Sequence, residues 1–254
     1  LQAQQKLNEN AAVMSPRYAT VNPAANASLI EGMKGLFNPV SAISKQFKNG
    51  IFGEGILGYD ELNMSQSIKQ FTTGSRTGTV TVSSSVTTEG STSMVLTGLG
   101  STTIKAGDVF TIANVYAVNP QTRESTGSLF QFVALADVTA STTATVTVAA
   151  MYSATQALAT VDALPVASAA VTFLGSASTQ YPQNLIYHKD AIAFATADLL
   201  LPQGVDMASR QVHNGISLRV VRQYDINNDR LPCRIDVLYG YSVIRPQMAV
   251  RLWG

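Results

Sequence analysis

Residues 215–254, GISLRVVRQYDINNDRLPCRIDVLYGYSVIRPQMAVRLWG, constrain the fold more than any other stretch. Ile216, Leu218 and Val220 alternate with Ser217, Arg219 and Val221 until the run breaks at Asp225-Ile226-Asn227-Asn228-Asp229. Ile235, Val237 and Tyr239 then alternate with Asp236, Leu238 and Gly240. A side-chain period of two matches the pleat of a strand and not the turn of a helix, so the stretch predicts strand, turn, strand. A third run, Ala249–Trp253, follows Arg245-Pro246. No position here carries a catalytic pattern, and the stretch reads as scaffold.

The preceding chain divides by composition. Thr72–Thr103 is more than half Ser and Thr, broken by short apolar alternations at Val80, Val82, Val86, Met94, Val95 and Leu96. β-branched residues in short alternating runs suit exposed strands. Lys105-Ala106-Gly107-Asp108 predicts a turn, Val109–Ala117 a strong strand, Asn119–Gly127 a polar loop and Phe130–Leu135 the returning strand of a hairpin. Ala144–Ala149 and Ala169–Leu174 supply further strands. Residues 72–175 therefore predict a separate all-β module, set between an α+β body of residues 1–71 and its return in residues 176–254.

In the first part of that body, Leu1–Met14 carries Leu7, Ala11 and Met14 at helical spacing, and Ser15-Pro16 ends it. The first residue is Leu, not Met, so this stretch reads as the end of a longer helical region. Arg17–Asn22 predicts a strand. Ala24–Phe37 predicts a helix, and a second helix to Lys48 begins at Asn38-Pro39, with Asn as cap and Pro at the first helical position. Gly53–Gly58 matches G-x-G-x-x-G, but a dinucleotide site needs a strand before the motif and a helix after it. Here a predicted helix precedes it, and a glycine turn is the better reading. Gln183–Leu201 is ambiguous, since Ile192, Phe194 and Thr196 alternate but the alanines would also allow a helix; strand is favoured.

Bulk properties narrow the function. Apolar residues make up 46% of the chain and charged residues 13%, which fits either a surface buried against partners or one solvated by Ser and Thr. The net charge of +1 comes without a basic stripe, which argues against tight sequence-specific nucleic-acid binding. Cys233 is the single cysteine, so an intrachain disulfide and a cysteine zinc site are excluded, and its place in a strand predicts a buried, inert thiol. No apolar run reaches the roughly eighteen residues of a membrane-spanning helix, so no membrane partner is expected.

Few constellations could carry chemistry. His188-Lys189-Asp190 places a base, a cation and a carboxylate together and is the one motif favouring an enzyme, yet no nucleophile elbow accompanies it. His188 and His213, the only histidines, miss the H-E-x-x-H spacing. Asp225–Asp229 copies the start of a calcium loop but has Arg230 where Gly is required and lacks the closing Glu. Arg219, Arg222, Arg230 and Arg234 surround that turn with Asp225 and Asp229. They read either as a local ion-pair set or as contacts between neighbouring subunits. Arg123 and Glu124 sit on the long hairpin tip, where they would suit a reciprocal contact between copies. No catalytic, cofactor or metal residue is expected.

The ending Cys233–Gly254, with its Leu238-Tyr239-Gly240 step, Arg245-Pro246 and short last strand, resembles the major capsid (coat) proteins of tailed double-stranded DNA phages, of the short-tailed Salmonella-phage type. Val21-Asn22-Pro23, Gly35-Leu36-Phe37 and Lys48–Gly58 resemble that family's surface-facing domain. Gly107-Asp108-Val109-Phe110 with Ala117–Pro120 resembles the start of its inserted β-domain, and Tyr181–Gly204 the return to the common fold. The resemblance implies a structural protein of the virion. Its copies would form hexamers and pentamers of an icosahedral shell, assembled in the bacterial cytoplasm around a scaffolding protein and filled with DNA through a portal. The family's N-terminal arm, extended loop and most of its spine helix should precede Leu1, so the N-terminal part of the fold is expected to be missing. A carbohydrate-binding or adhesin-like β-protein is the alternative, and it predicts exposed aromatic residues on the β-module.

Overall fold

A computed structural model of the chain describes residues 2–33, 53–56 and 58–253. The helix expected from Asn38 to Lys48 lies outside the described residues, as do residues 34–37 of the one before it. Two compact units are present: residues up to Lys189 with those from Gln247 onward, and Asp190–Pro246.

The first unit begins with α1 (Gln2–Glu9), which buries Ala3 and Leu7. The Ala12 N–H returns to Leu7 O at 2.9 Å, and Ala11 takes a left-handed φ of 54°, the helix-ending conformation that glycine adopts most easily. β1 (Arg17–Val21) alternates Arg17, Ala19 and Val21 inward. The buried Arg17 guanidinium is satisfied by carbonyls, with Nε donating to Val13 O at 2.8 Å and Nη2 to Ala12 O at 2.7 Å. α2 (Pro23–Met33) starts as its sequence dictates: Asn22 Oδ1 accepts the Ala25 N–H at 3.1 Å, and Pro23 occupies the first turn, where its missing N–H costs nothing.

Gly53–Gly58, read from sequence as a glycine turn, instead supplies β2 (Gly53–Ile56). It pairs antiparallel with β3 (Tyr59–Met64) through Gly53↔Leu62 and Ile56↔Tyr59. An edge strand needs backbone hydrogen bonds on one side only, so glycines are tolerated there. β4 (Gln70–Thr72) follows.

Residues 80–171 enclose one apolar core. The strands are β5 (Thr81–Val82), β6 (Ser91–Thr97), β7 (Thr102–Ile104), β8 (Val109–Val118), β9 (Ser125–Val133), β10 (Val138–Ala140), β11 (Thr143–Met151) and β12 (Val171–Phe173). They form the sheets β11-β6-β5, β12-β8-β9 and β10-β7. The Ser/Thr-rich runs are only half exposed. Val82, Met94 and Leu96 are buried, and the intervening Thr and Ser residues face outward. Phe110 and Phe132 are cross-strand partners and stack with centroids 5.5 Å apart; Phe173 closes on Phe110 from β12.

β13 (Gln180–Pro182) pairs with β4, and β14 (Asn184–His188) enters the body sheet. The second unit holds β15 (Ile192–Ala197), β16 (Met207–His213), β17 (Ile216–Arg222) and β18 (Cys233–Val243), in the order β15-β18-β17-β16. β19 (Ala249–Leu252) completes the five-stranded body sheet β19-β14-β1-β3-β2. Within it β1 and β3 run parallel, which demands a crossover, and α2 belongs to that connection. The described residues are thus mostly β with two α-helices.

Candidate assembly surfaces

The sheet β15-β18-β17-β16 has two chemically different faces, set by register. One carries Ile235, Val237, Tyr239, Tyr241 and Val243 from β18, Phe194 opposite Tyr241, and Leu218 opposite Val237. These side chains are exposed, Tyr241 to 77% and Ile235 to 68%. Phe194 and Tyr239 lie with ring centroids 6.1 Å apart. The other face carries Ala193, Ala195, Gly240 and Ala208 with Val212, Val221 and Leu238, and it also holds the charge of Arg210, Arg219, Asp236 and Arg234. A contiguous exposed apolar face of this kind marks a surface meant to be covered.

Asp236 holds the charged face together. Arg219 donates through Nε and Nη2 to Oδ2, and Arg234 donates through Nε to Oδ1 at 2.6 Å. These hydrogen bonds, from Arg234 first and Arg219 second, hold the Asp236 carboxyl below the usual carboxylate range, and the same bond raises Arg234. Arg219 also ties down Leu200 O through Nη1 at 2.6 Å. Arg222 pairs with Asp206, and Arg210 with Asp198, along the β16 edge.

Among the described residues, Asp225 and Asp229 form no ion pair with the arginines around them. Asp225 accepts the Asn227 N–H at 3.0 Å and Asn228 Nδ2 at 2.7 Å, and these bonds, the side-chain one first, lower its pKa. Asp229 accepts the Tyr224 hydroxyl at 2.7 Å, which raises the tyrosine. Arg230 joins the turn through its backbone, bridging to Asp225, and Arg222 turns to Asp206 instead. The turn's short acids find donors among their own neighbours before any arginine can reach them.

Arg123 and Glu124 sit on the β8–β9 tip, which is tighter than the sequence implied. Asn119 accepts the Arg123 N–H on its carbonyl, donates its own N–H to Glu124 O, and caps Gln121 and Thr122 with Oδ1. Pairing resumes at Val118↔Ser125, so Ser125–Gly127 belongs to the strand. Arg123 has a left-handed φ of 60°, both side chains are exposed, and neither forms an ion pair among the described residues.

Two further expectations are settled by burial. Cys233, expected to be buried, is exposed, because it lies on the same exposed face of the sheet as Ile235 and Val237; alternation alone cannot say which face is covered. His188 is buried in β14 with Nε2 3.3 Å from Ser15 O, while Lys189 is exposed. The aromatic residues of 72–175 (Phe110, Tyr116, Phe130, Phe132, Tyr152 and Phe173) are buried or half-buried, so the exposed aromatic surface an adhesin-like protein would need is not on that module. Among the described residues, no cluster of His, Cys, Asp and Glu could hold a metal ion, and no helix is long and apolar enough to cross a membrane.

The family described as "P22 coat protein - gene protein 5" matches residues 3–254. A solved structure titled "CUS-3 coat protein I-domain" is 28% identical, covering 39% of this chain and 98% of its own, with a TM-score of 0.31. No curated protein matches.

Proposed function

Because this chain belongs to the P22 coat protein family, we propose that it is the major structural subunit of a phage capsid, self-assembling into an icosahedral shell that encloses double-stranded DNA. In this reading residues 72–175 form the inserted β-domain, and the flanking segments form the common capsid fold. Copies of the chain meet as hexamers and pentamers, with a scaffolding protein and a portal as further partners. The DNA inside is held without sequence-specific contacts, which suits a net charge of +1.

The observation that carries the proposal, beyond family membership, is the bare apolar face of β15-β18-β17-β16. Phe194, Tyr239, Tyr241, Ile235 and Val243 would be a liability on a free monomer. They make physical sense if the face is covered within the assembled coat. The test is electron microscopy of the full-length product expressed with its neighbouring genes. Closed shells are expected; isolated particles alone would overturn the reading.

A further inference from the structure

The sequence gives no hint of what fastens the β-core of residues 80–171 to the body sheet. Its two connecting strands pair as Thr72↔Gln180, Phe71↔Tyr181 and Gln70↔Pro182, and the ladder continues through Thr73 N–H to Thr179 O at 3.0 Å. A two-stranded ribbon this short is a weak attachment by itself. One polar contact from α1, Ser128 Oγ to Glu9 Oε1 at 3.0 Å, adds little.

β19 reaches this neck from the edge of the body sheet beside β14, the strand that β13 leads into. Trp253 stacks on Tyr181, centroids 5.1 Å apart and planes 13° from parallel, and meets Phe71 at 6.2 Å. The Arg251 guanidinium lies over Trp253 at 4.9 Å and over Phe71 at 5.7 Å, while Nη2 donates to Gly107 O at 2.6 Å. Gly107 belongs to the turn that opens β8, so one side chain spans from the body sheet to the core. Two glycines make room for it. A Cβ on Gly107 would meet the Phe71 ring and Arg251 Nη1 at 3.2 and 3.4 Å, and one on Gly175 would meet Tyr181 and Trp253 at 3.0 and 3.1 Å. On the core side, the fully buried Asp108 accepts the N–H groups of Gly74 and Lys105, and Arg76 donates to Leu174 O, Gly175 O and Ser176 O. The neck is therefore rigid on one side and gripped on the other.

We infer that β19 is a latch: Arg251 and Trp253 pin the ribbon of β4 and β13 to the Gly107 turn, so the β-core is held at a fixed pivot instead of swinging on a linker. The inference rests on the geometry of the first unit and holds whether or not the chain builds a shell. Trp253 is the single tryptophan of the sequence, so its fluorescence reports on the latch directly.

The experiment compares the 254-residue chain with Arg251→Met and Arg251→Lys by tryptophan emission and backbone hydrogen exchange. Arg251→Met removes the cation and the bond to Gly107. It is expected to shift Trp253 emission and to speed exchange by roughly tenfold at Phe71–Gly74, Gly107 and Thr179–Tyr181, with Ile112 and Val146 unchanged. Arg251→Lys keeps the charge but loses the planar stack, and should fall between the two. Unchanged exchange at the neck in both variants would overturn the latch. So would equal loss of protection at Ile112 and Val146, because Arg251 would then support the whole fold and not the pivot.

Discussion

Arg219 and Asp236 face one another across the β17–β18 ladder, and the guanidinium donates twice to the same carboxylate oxygen. With Arg234 on the other oxygen, the carboxylate joins two cations that would otherwise repel. Its pKa lies below the ordinary aspartate range, so its contribution to stability is complete above that range and is lost as pH falls through the lowered value. Asp236→Asn should destabilise this sheet at neutral pH and flatten its response to acid below the ordinary carboxylate range. Hydrogen exchange at β17 and β18 as a function of pH reads both effects. A variant that keeps the wild-type acid response would show that other carboxylates dominate.

The cap of α2 gives a simpler expectation. Asn22 Oδ1 satisfies the Ala25 N–H, a donor with no partner inside the helix. Asn22→Ala should cost about 1 kcal/mol, with Asn22→Ser largely restoring it, as measured by urea unfolding.

At the other helix, Ala11 holds a left-handed φ of 54°. Ala11→Gly should stabilise the chain by up to about 1 kcal/mol, because glycine removes the Cβ crowding, less its added freedom when unfolded. A lower thermal midpoint in this variant would mean that Ala11 makes packing contacts worth more than the relief.

Cys233 offers a chemical check on the second unit. An exposed thiol on the apolar face of its sheet should react fully with a thiol reagent in the unassembled, folded chain. If the apolar face is covered in the coat, assembly should protect it. Slow labelling of the unassembled chain would contradict the exposed position.

The hairpin tip carries the remaining assembly proposal. Arg123 and Glu124 are adjacent, exposed and unpaired among the described residues, which suits a reciprocal contact between two copies. Arg123→Glu alone should lower shell yield without unfolding the subunit, and adding Glu124→Arg should restore it. One exposed pair contributes only about 0–1 kcal/mol, but a shell repeats it at many contacts. Single reversals that assemble like the parent would end this idea.

What was legible in the sequence follows from physics that acts between near neighbours. Ile216–Arg222, Cys233–Val243 and Val109–Val118 were readable because a pleated strand sends alternate residues to opposite faces, so a difference between the faces shows as period two whether the strand is buried, as Val109–Val118 is, or exposed, as Cys233–Val243 is. The helix read from Ala24 onward is present and begins one residue earlier, at Pro23, with Asn22 as a cap the sequence reading had placed in the preceding strand. Gly53–Ile56 was misread because an edge strand held by its backbone leaves little side-chain signal. The exposure of Cys233 was out of reach, since it depends on what covers a sheet and not on the strand itself. Which partners the charges around Asp225 take was not legible, because a turn's own amide donors reach the short acids before longer arginines do. The neck was invisible: Phe71, Gly107, Tyr181 and the Arg251–Trp253 pair come from stretches far apart in the chain, and no local pattern links them.

The pairing of Thr72 with Gln180 has a consequence for how such a chain can change over time. Everything between these two residues leaves and re-enters the body at a single rung of one ladder. A short hairpin turn joining them would close the same gap at little entropic cost, and a different domain with adjacent termini could be spliced in without moving a body strand. The rung is a socket. Whatever it carries can be lost, exchanged or elaborated while β1, β3 and β14 keep their register, with Arg251 and Trp253 the residues that must adapt to each new occupant.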